Sequence, residues 1–314
     1  MPAARALRPD GRRDRGACAR RARRRRRALR SPLRVGIVAN PRYPDLGEIL
    51  AGVAASITAR GWSIAGGEEL EGLDAPPLDP TALDLLLTLG GDGTLLRAAH
   101  RLRGAPVPIL GLNFGRIGFL TAMPRDRAIE ALDLWQEGRY TLSSRAMLEA
   151  SLVDGQGDQT PLRALNDVVL HKTGVARVAR VQVHVDEESI GPISADGIVI
   201  ASPTGSTAYS LSAGGPVVAP TLDAMVVTPI CAHSLSVRPL VVPPSATVTV
   251  APLDPHPHEL MVSCDGQVAR HVGPEERLSV RVSSSRVVLV RFPGMGFMTR
   301  LREKLHWGDL SGRG

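Results

Sequence analysis

LTLGGDGTLLRAA, residues 87–99, runs an apolar stretch into a helical stripe through a turn of three glycines and one acid. LDLLLTL (83–89) is dominated by leucine rather than alternating, which predicts a strand buried on both faces. LLRAAHRLRG (95–104) has helical spacing and stops at a glycine. Outward from this unit the pattern repeats: LRVGIVAN (33–40) predicts a buried strand, DLGEILAGVAASITARG (45–61) a helix, and WSIAG and VPILGLN (107–113) further strands. RDRAIEALDLWQEGRY (125–140) predicts a helix closing this part. Strands that alternate with helices imply an open, mostly parallel sheet with flanking helices, an α/β domain over 33–140.

From residue 141 the character changes. MLEASLVDG, ALNDVVLHK, ARVQVHVDEE, ADGIVIASP, SATVTVAPL, ELMVSCDG, RLSVRVSSS and RVVLVRF are short alternating runs broken by Gly, Pro or Ser. They predict a β-rich, sandwich-like domain over 141–292. GFMTRLREKLHW, within 293–314, predicts a helix returning to the first domain. The seam between the domains is the expected place for a ligand.

The 314 residues carry a formal charge of +7, but residues 1–30 hold 13 Arg against Asp10 and Asp14. The rest has a net charge of −4, which argues against a nucleic-acid surface on the body. The tail, 1–32, cannot offset the cost of its own ordering by burying apolar groups and is expected to be disordered. It reads as a dispensable extension rather than a polyanion-binding arm or transit peptide. No run of 18 apolar residues is present, so no membrane span is expected. Cys18, Cys231 and Cys264 have neither framework nor C-x-x-C spacing, which fits a reducing cytoplasm. With Lys172 and Lys304 the only lysines, no P-loop motif can be written.

Four segments carry candidate chemistry. In GGDGT, Gly90, Gly91, Gly93 and Thr94 lie where a helix start offers free N–H groups to phosphate. Asp92 among them would repel phosphate unless a cation or a substrate hydroxyl intervenes, so it bridges a metal or accepts a proton. The competing reading is a helix N-cap. GLNFGRIGFL (111–120) is a second glycine turn after a neighbouring strand, so both turns should line one crevice. Phe114 would either stack on a base or plug the domain. Asn166 and Asp167 suit the two hydroxyls of a ribose, or form an Asx-turn. SADGIVIASPTGSTAYSLSAGGPVVAP (194–220) is rich in small polar residues, as a segment approaching a polar ligand would be. A serine hydrolase lacks its G-x-S-x-G here, and the scattered histidines nominate no base or metal set.

Together with PICAHSLSVRPLVVP and SCDGQ, these segments resemble the NAD kinase family over about residues 33–306. GGDGT is shared with lipid kinases and, in related form, with phosphofructokinases; the long SADG…TAYSLSAGGP block is not shared with the lipid kinases. The resemblance implies an ATP-dependent enzyme making NADP from NAD, with Asp92 as general base on the 2′-hydroxyl of the adenosine ribose. It implies NAD contacts from Asp92, Gly93, Asn166, Asp167, Asp196, Thr207, Ala208, Tyr209, Ser210, Leu211 and Ser212. Arg97, Phe114, Arg177, Ser194 and Gln267 are further contacts by position. ATP is the implied co-substrate, with polyphosphate an alternative donor, and a divalent cation, Mg²⁺ foremost, the implied cofactor without assigned protein ligands. A homodimer or homotetramer is expected. Asp167 stands where the family often has Glu, and Val237 where it often has Asn. The alternatives are a lipid or sugar kinase sharing the GGDGT turn, and a non-enzymatic dinucleotide sensor.

Overall fold

The computed structural model describes residues 32–66, 75–115, 118–154, 159–173, 178–253, 260–273 and 275–306. The arginine-rich tail up to residue 31 and Arg177 lie outside them.

Four strands make the parallel part of the sheet: β1 (Arg34–Ala39), β2 (Ser63–Gly66), β3 (Leu85–Gly90) and β4 (Pro108–Asn113). They lie in the order β2-β1-β3-β4, each pair parallel, with β5 (Met123–Pro124) also parallel to β4. Every residue of β3 is buried, as its leucine-rich run predicts. One face is covered by α1 (Leu46–Ala59), through Leu46, Leu50, Val53 and Ile57, and by α3 (Ala128–Gln136). The other face receives α2 (Asp92–Arg101), through Leu95, Leu96, Ala98 and Ala99. Each fully buried leucine in these layers contributes roughly 1.5–3 kcal/mol.

The remaining strands form a sandwich. Its first layer holds β6 (Thr141–Val153), β7 (Gln159–Ala164), β9 (Ala179–Val185), β10 (Glu188–Ala195), β14 (Thr247–Pro252) and β17 (Arg277–Arg291). The second layer is a six-stranded antiparallel sheet. It comprises β8 (Asp167–Lys172), β11 (Gly197–Ala201), β12 (Met225–Ile230), β13 (Leu240–Val242), β15 (Leu260–Cys264) and β16 (Gln267–His271). Leu148, Val183, Val248 and Val280 of the first layer meet Val168, Ile198, Ile200 and Val262 of the second in one core.

The expected boundary at residue 140 does not break the sheet. Val288 and Leu289 of β17 pair in parallel with Pro108 and Ile109 of β4, so one eleven-stranded sheet runs through both parts. The register of β17 against β6 shifts between Val282 and Arg286. Before that shift β17 belongs to the sandwich; after it, Val290 and Phe292 pack under α1 and α3. α5 (Phe297–Leu305) then lies against the residue 118–121 loop.

Candidate functional site

β3 ends at Gly90, Gly91 occupies the N-cap in an extended conformation, and α2 starts at Asp92. No side chain caps this helix, which removes the N-cap reading of Asp92. Its carboxylate turns to the second glycine-rich turn. Oδ2 accepts from the N–H of Phe119 at 2.7 Å, and Oδ1 from those of Leu120 and Thr121 at 3.1 and 3.2 Å. A Cβ on Gly118 would fall 1.8 Å from Oδ1, so only glycine leaves room for the carboxylate there. A carboxylate has about four acceptor positions. Three are filled by these N–H groups, and the side chain is half-buried.

The carbonyls of the same loop face two cations. Arg291 donates to the oxygens of Leu120 at 2.6 Å and Phe119 at 3.4 Å. Arg300 donates to those of Phe119 at 2.9 Å, Gly118 at 3.5 Å and Thr121. Burial pulls both guanidinium pKa values below the usual arginine range, and that of Arg145 nearby to about 10, with Arg300 adding repulsion.

A second carboxylate organises the other half. Asp265 follows β15 in a two-residue hairpin turn, with φ of 53° at Asp265 and 67° at Gly266, the geometry Asp-Gly favours. Its side chain is fully buried. It accepts from the N–H groups of Leu165 (2.8 Å), Asn166 (2.7 Å) and Asp167 (3.2 Å), and His100 Nε2 lies 2.8 Å from Oδ2. Asn166, Asp167, Val169, His171, Ala208, Tyr209, Ser263, Asp265 and Gly266 line a pocket of about 380 Å³ over the second sheet. Burial, then the Asp265 charge, pushes the Asp167 carboxyl up to about 7. The same causes, in the same order, raise the Cys264 thiol to about 12. α2 links the two regions: Asp92 opens it, and His100 sits about 12 Å further along its axis.

The structure therefore gathers Asn166, Asp167, Ala208 and Tyr209, and places other expected residues elsewhere. Phe114 is 6% exposed, tilted against Tyr43 with ring centroids 5.3 Å apart and under Arg125, and packs with the α/β core. Ser210 is fully buried and bonds Thr228 at 2.9 Å, so its hydroxyl anchors the segment to β12. Ser202 and Ser206 likewise turn inward, to the Leu165 and Pro203 carbonyls. The small polar residues of this segment thus satisfy its own turns, which consist of a 3-10 turn (Gly205–Thr207) and α4 (Tyr209–Ser212). Gly205 is required by contact: a Cβ there would lie 2.0 Å from the Asn166 carbonyl. Ser194 lies on β10 of the first layer, opposite Arg180, and Asp196, just before β11, pairs with Lys172 at 2.6 Å. Gly197 pairs with His171 and Ala201 with Asp167, so Asp196 is at the opposite end of β8 from Asp167.

Arg97 reaches the Ala39 carbonyl at 3.2 Å beside the GGDGT turn. Gly93 is exposed, and Thr94 is buried under Gly90. Thr207, Leu211, Ser212 and Gln267 flank the pocket residues in sequence without lining it. Sequence reasoning passed over Asp265, His100, Gly118, Arg291 and Arg300. For Asp265 the Asp-Gly of SCDGQ was the available signal, marking a hairpin turn.

A carboxylate held at the start of a helix, beside amides suited to phosphate, is equipped to take a proton next to a phosphoryl group. The class is that of a phosphotransferase. Comparison with known proteins agrees. The ATP-NAD kinase N-terminal domain matches residues 70–140, and the ATP-NAD kinase C-terminal domain matches residues 165–292. An NAD kinase of Gemmatimonas aurantiaca is 45% identical over 285 residues, covering 90% of this chain and 98% of its own length. One from Syntrophotalea carbinolica is 35% identical over 284 residues, covering 88% and 99%. Yeast NADH kinase complexed with NADH superposes with a TM-score of 0.81 at 26% identity, covering 90% of each chain. An NAD kinase from Archaeoglobus fulgidus, in complex with ATP, shares the fold with a TM-score of 0.68 at 22% identity, covering 87% of this chain and 98% of that one. The chain belongs to the ATP-NAD kinase family. The lipid- or sugar-kinase reading and the sensor reading find no support in these matches.

Proposed function

We propose that this protein transfers the γ-phosphate of ATP to the 2′-hydroxyl of the adenosine ribose of NAD, with Asp92 as the general base. The observation that carries this reading is the geometry of Asp92: three peptide N–H groups fix its half-buried carboxylate at the start of α2, beside the glycine turn. Asp92 takes the hydroxyl proton, the ribose oxygen bonds to the γ-phosphorus, and the bond to the β-phosphate oxygen breaks. ADP, NADP and a proton result. Gly90, Gly91, Gly93 and Thr94 cradle phosphate, while Asn166, Asp167, Ala208 and Tyr209 hold the adenosine half in the pocket.

Among the described residues no group of three or more His, Cys, Asp or Glu is arranged to hold a metal ion. The residues present do not form a metal cage, and the reading brings Mg²⁺ in on the ATP phosphates, which suits its preference for substrate oxygens and water. No described helix is long and apolar enough to cross a membrane. The thiols of Cys231 and Cys264 are free, which supports a cytoplasmic setting. Leu235, Leu240 and Val241 are exposed on and before the edge strand β13, which supports an even-numbered homo-oligomer.

Asp92→Asn tests the reading. It should keep the fold by circular dichroism and lower NADP formation by roughly 10²–10⁴-fold in a dehydrogenase-coupled assay with ATP and Mg²⁺. A normal rate would overturn the role of Asp92. The same assay with polyphosphate in place of ATP identifies the donor.

A further inference from the structure

Three arginines lie buried beneath the loop that holds Asp92. Arg145 on β6 is 6% exposed, Arg291 at the end of β17 is 9%, and Arg300 on α5 is 4%. Arg145 comes from a strand far upstream of the other two, and the three repel one another. Removing guanidinium from water is costly, and neutral donors could tie down the same carbonyls at less cost. A simple clamp does not explain three cations here.

The loop's orientation does. Residues 119–121 point their N–H groups at the Asp92 carboxylate, while the carbonyls of 118–121 accept from Arg291 and Arg300. Each guanidinium polarises the peptide groups whose N–H groups grip the acid, which strengthens the chain of hydrogen bonds. Arg300 and Arg291 also sense the Asp92 charge directly. The carboxylate therefore has one orientation, fixed from behind by residues that do not touch the ligand.

We infer that Arg291 and Arg300 are positioning residues for phosphoryl transfer, acting through the peptide groups of residues 118–121 to aim the Asp92 carboxylate. This rests on the reading of Asp92 as the base. Such residues act on turnover and leave substrate binding alone, and their effect disappears once the group they aim has gone.

The test is a double-mutant cycle with kcat, KM for NAD and thermal stability measured on each variant. Arg300→Met should lower kcat by ~10–100-fold with KM for NAD within about 3-fold of the parent. Arg300→Lys, which keeps a donor and a charge, should regain at least roughly 3-fold of that loss. In the Asp92→Asn background, Arg300→Met should cost less than about 2-fold more. Should Arg300→Met fail to fold, Arg291→Lys carries the cycle, with ~3–10-fold lost from kcat in the parent and no loss in Asp92→Asn. Equal losses in both backgrounds, or a loss confined to KM, would overturn the inference while leaving Asp92 as base. A normal rate for Asp92→Asn alone would end the base reading and this inference with it.

Discussion

Two aspartates use the same device to different ends. Asp92 and Asp265 each accept three consecutive backbone N–H groups, from 119–121 and from 165–167. Around Asp265 the remaining acceptor capacity goes to His100, and the carboxylate is sealed from solvent. Asp92 is half-buried, and the balancing cations stand behind the loop. The difference separates a carboxylate sealed into the fold from a half-buried one that, in the proposed reading, serves as the base. An acid surrounded by partners on all sides can only shape the chain; one gripped on a single side can accept a proton.

The largest way to break this contrast is at Asp265. Asp265→Ala strands three backbone donors and should cost ~3–5 kcal/mol of stability, lowering Tm by about 6–15 °C. Calorimetry reads this directly; an unchanged Tm would mean that the hydrogen bonds to residues 165–167 are dispensable. Next comes Gly118→Ala, whose Cβ needs the space of Asp92 Oδ1. It should lower kcat by roughly 10²-fold with a Tm change of a few degrees at most, because the damage is one displaced carboxylate. Parental turnover would show that the carboxylate has room to shift without consequence.

The smallest effect is at Asp167, and it depends on pH. Its carboxyl titrates near 7 in the fold against an ordinary 3.8. Between those values the folded protein keeps a proton that the unfolded chain has released. Stability from this group is thus complete below about pH 4 and falls as pH rises through 7. Asp167→Asn should leave Tm unchanged at pH 4 and raise it by roughly 3–8 °C at pH 8. Equal Tm at pH 8 would place Asp167 in a more polar setting than its burial indicates.

Much of the α/β part was legible because its signals are local. The run of leucines in β3, the 46/50/53/57 stripe of α1 and the glycines of GGDGT each state their role within a few residues. The hub at Asp265 was not legible, since its partners lie about a hundred residues upstream in Leu165–Asp167 and further still in His100. Arg145, Arg291 and Arg300 read as solvated charges, and only packing reveals them buried. One hint existed: Arg300 shares a helix face with Phe297 and Leu301, and Arg291 ends the apolar run RVVLVR. The serines at 202, 206 and 210 illustrate a related limit of sequence, since all three hydroxyls are bonded within the fold. A hydroxyl that satisfies its own turn and one that meets a ligand look alike in a sequence.

The union of β4 with β17 has a consequence for biogenesis. As the chain leaves the ribosome, the edge of β4 at Pro108 and Ile109 waits for Val288 and Leu289, some 180 residues behind it. The nucleotide-handling half therefore cannot mature on its own during translation. A message truncated before residue 277 would release a protein with the GGDGT turn present, an unpaired sheet margin prone to association, and neither Arg291 nor Arg300 beneath the acid.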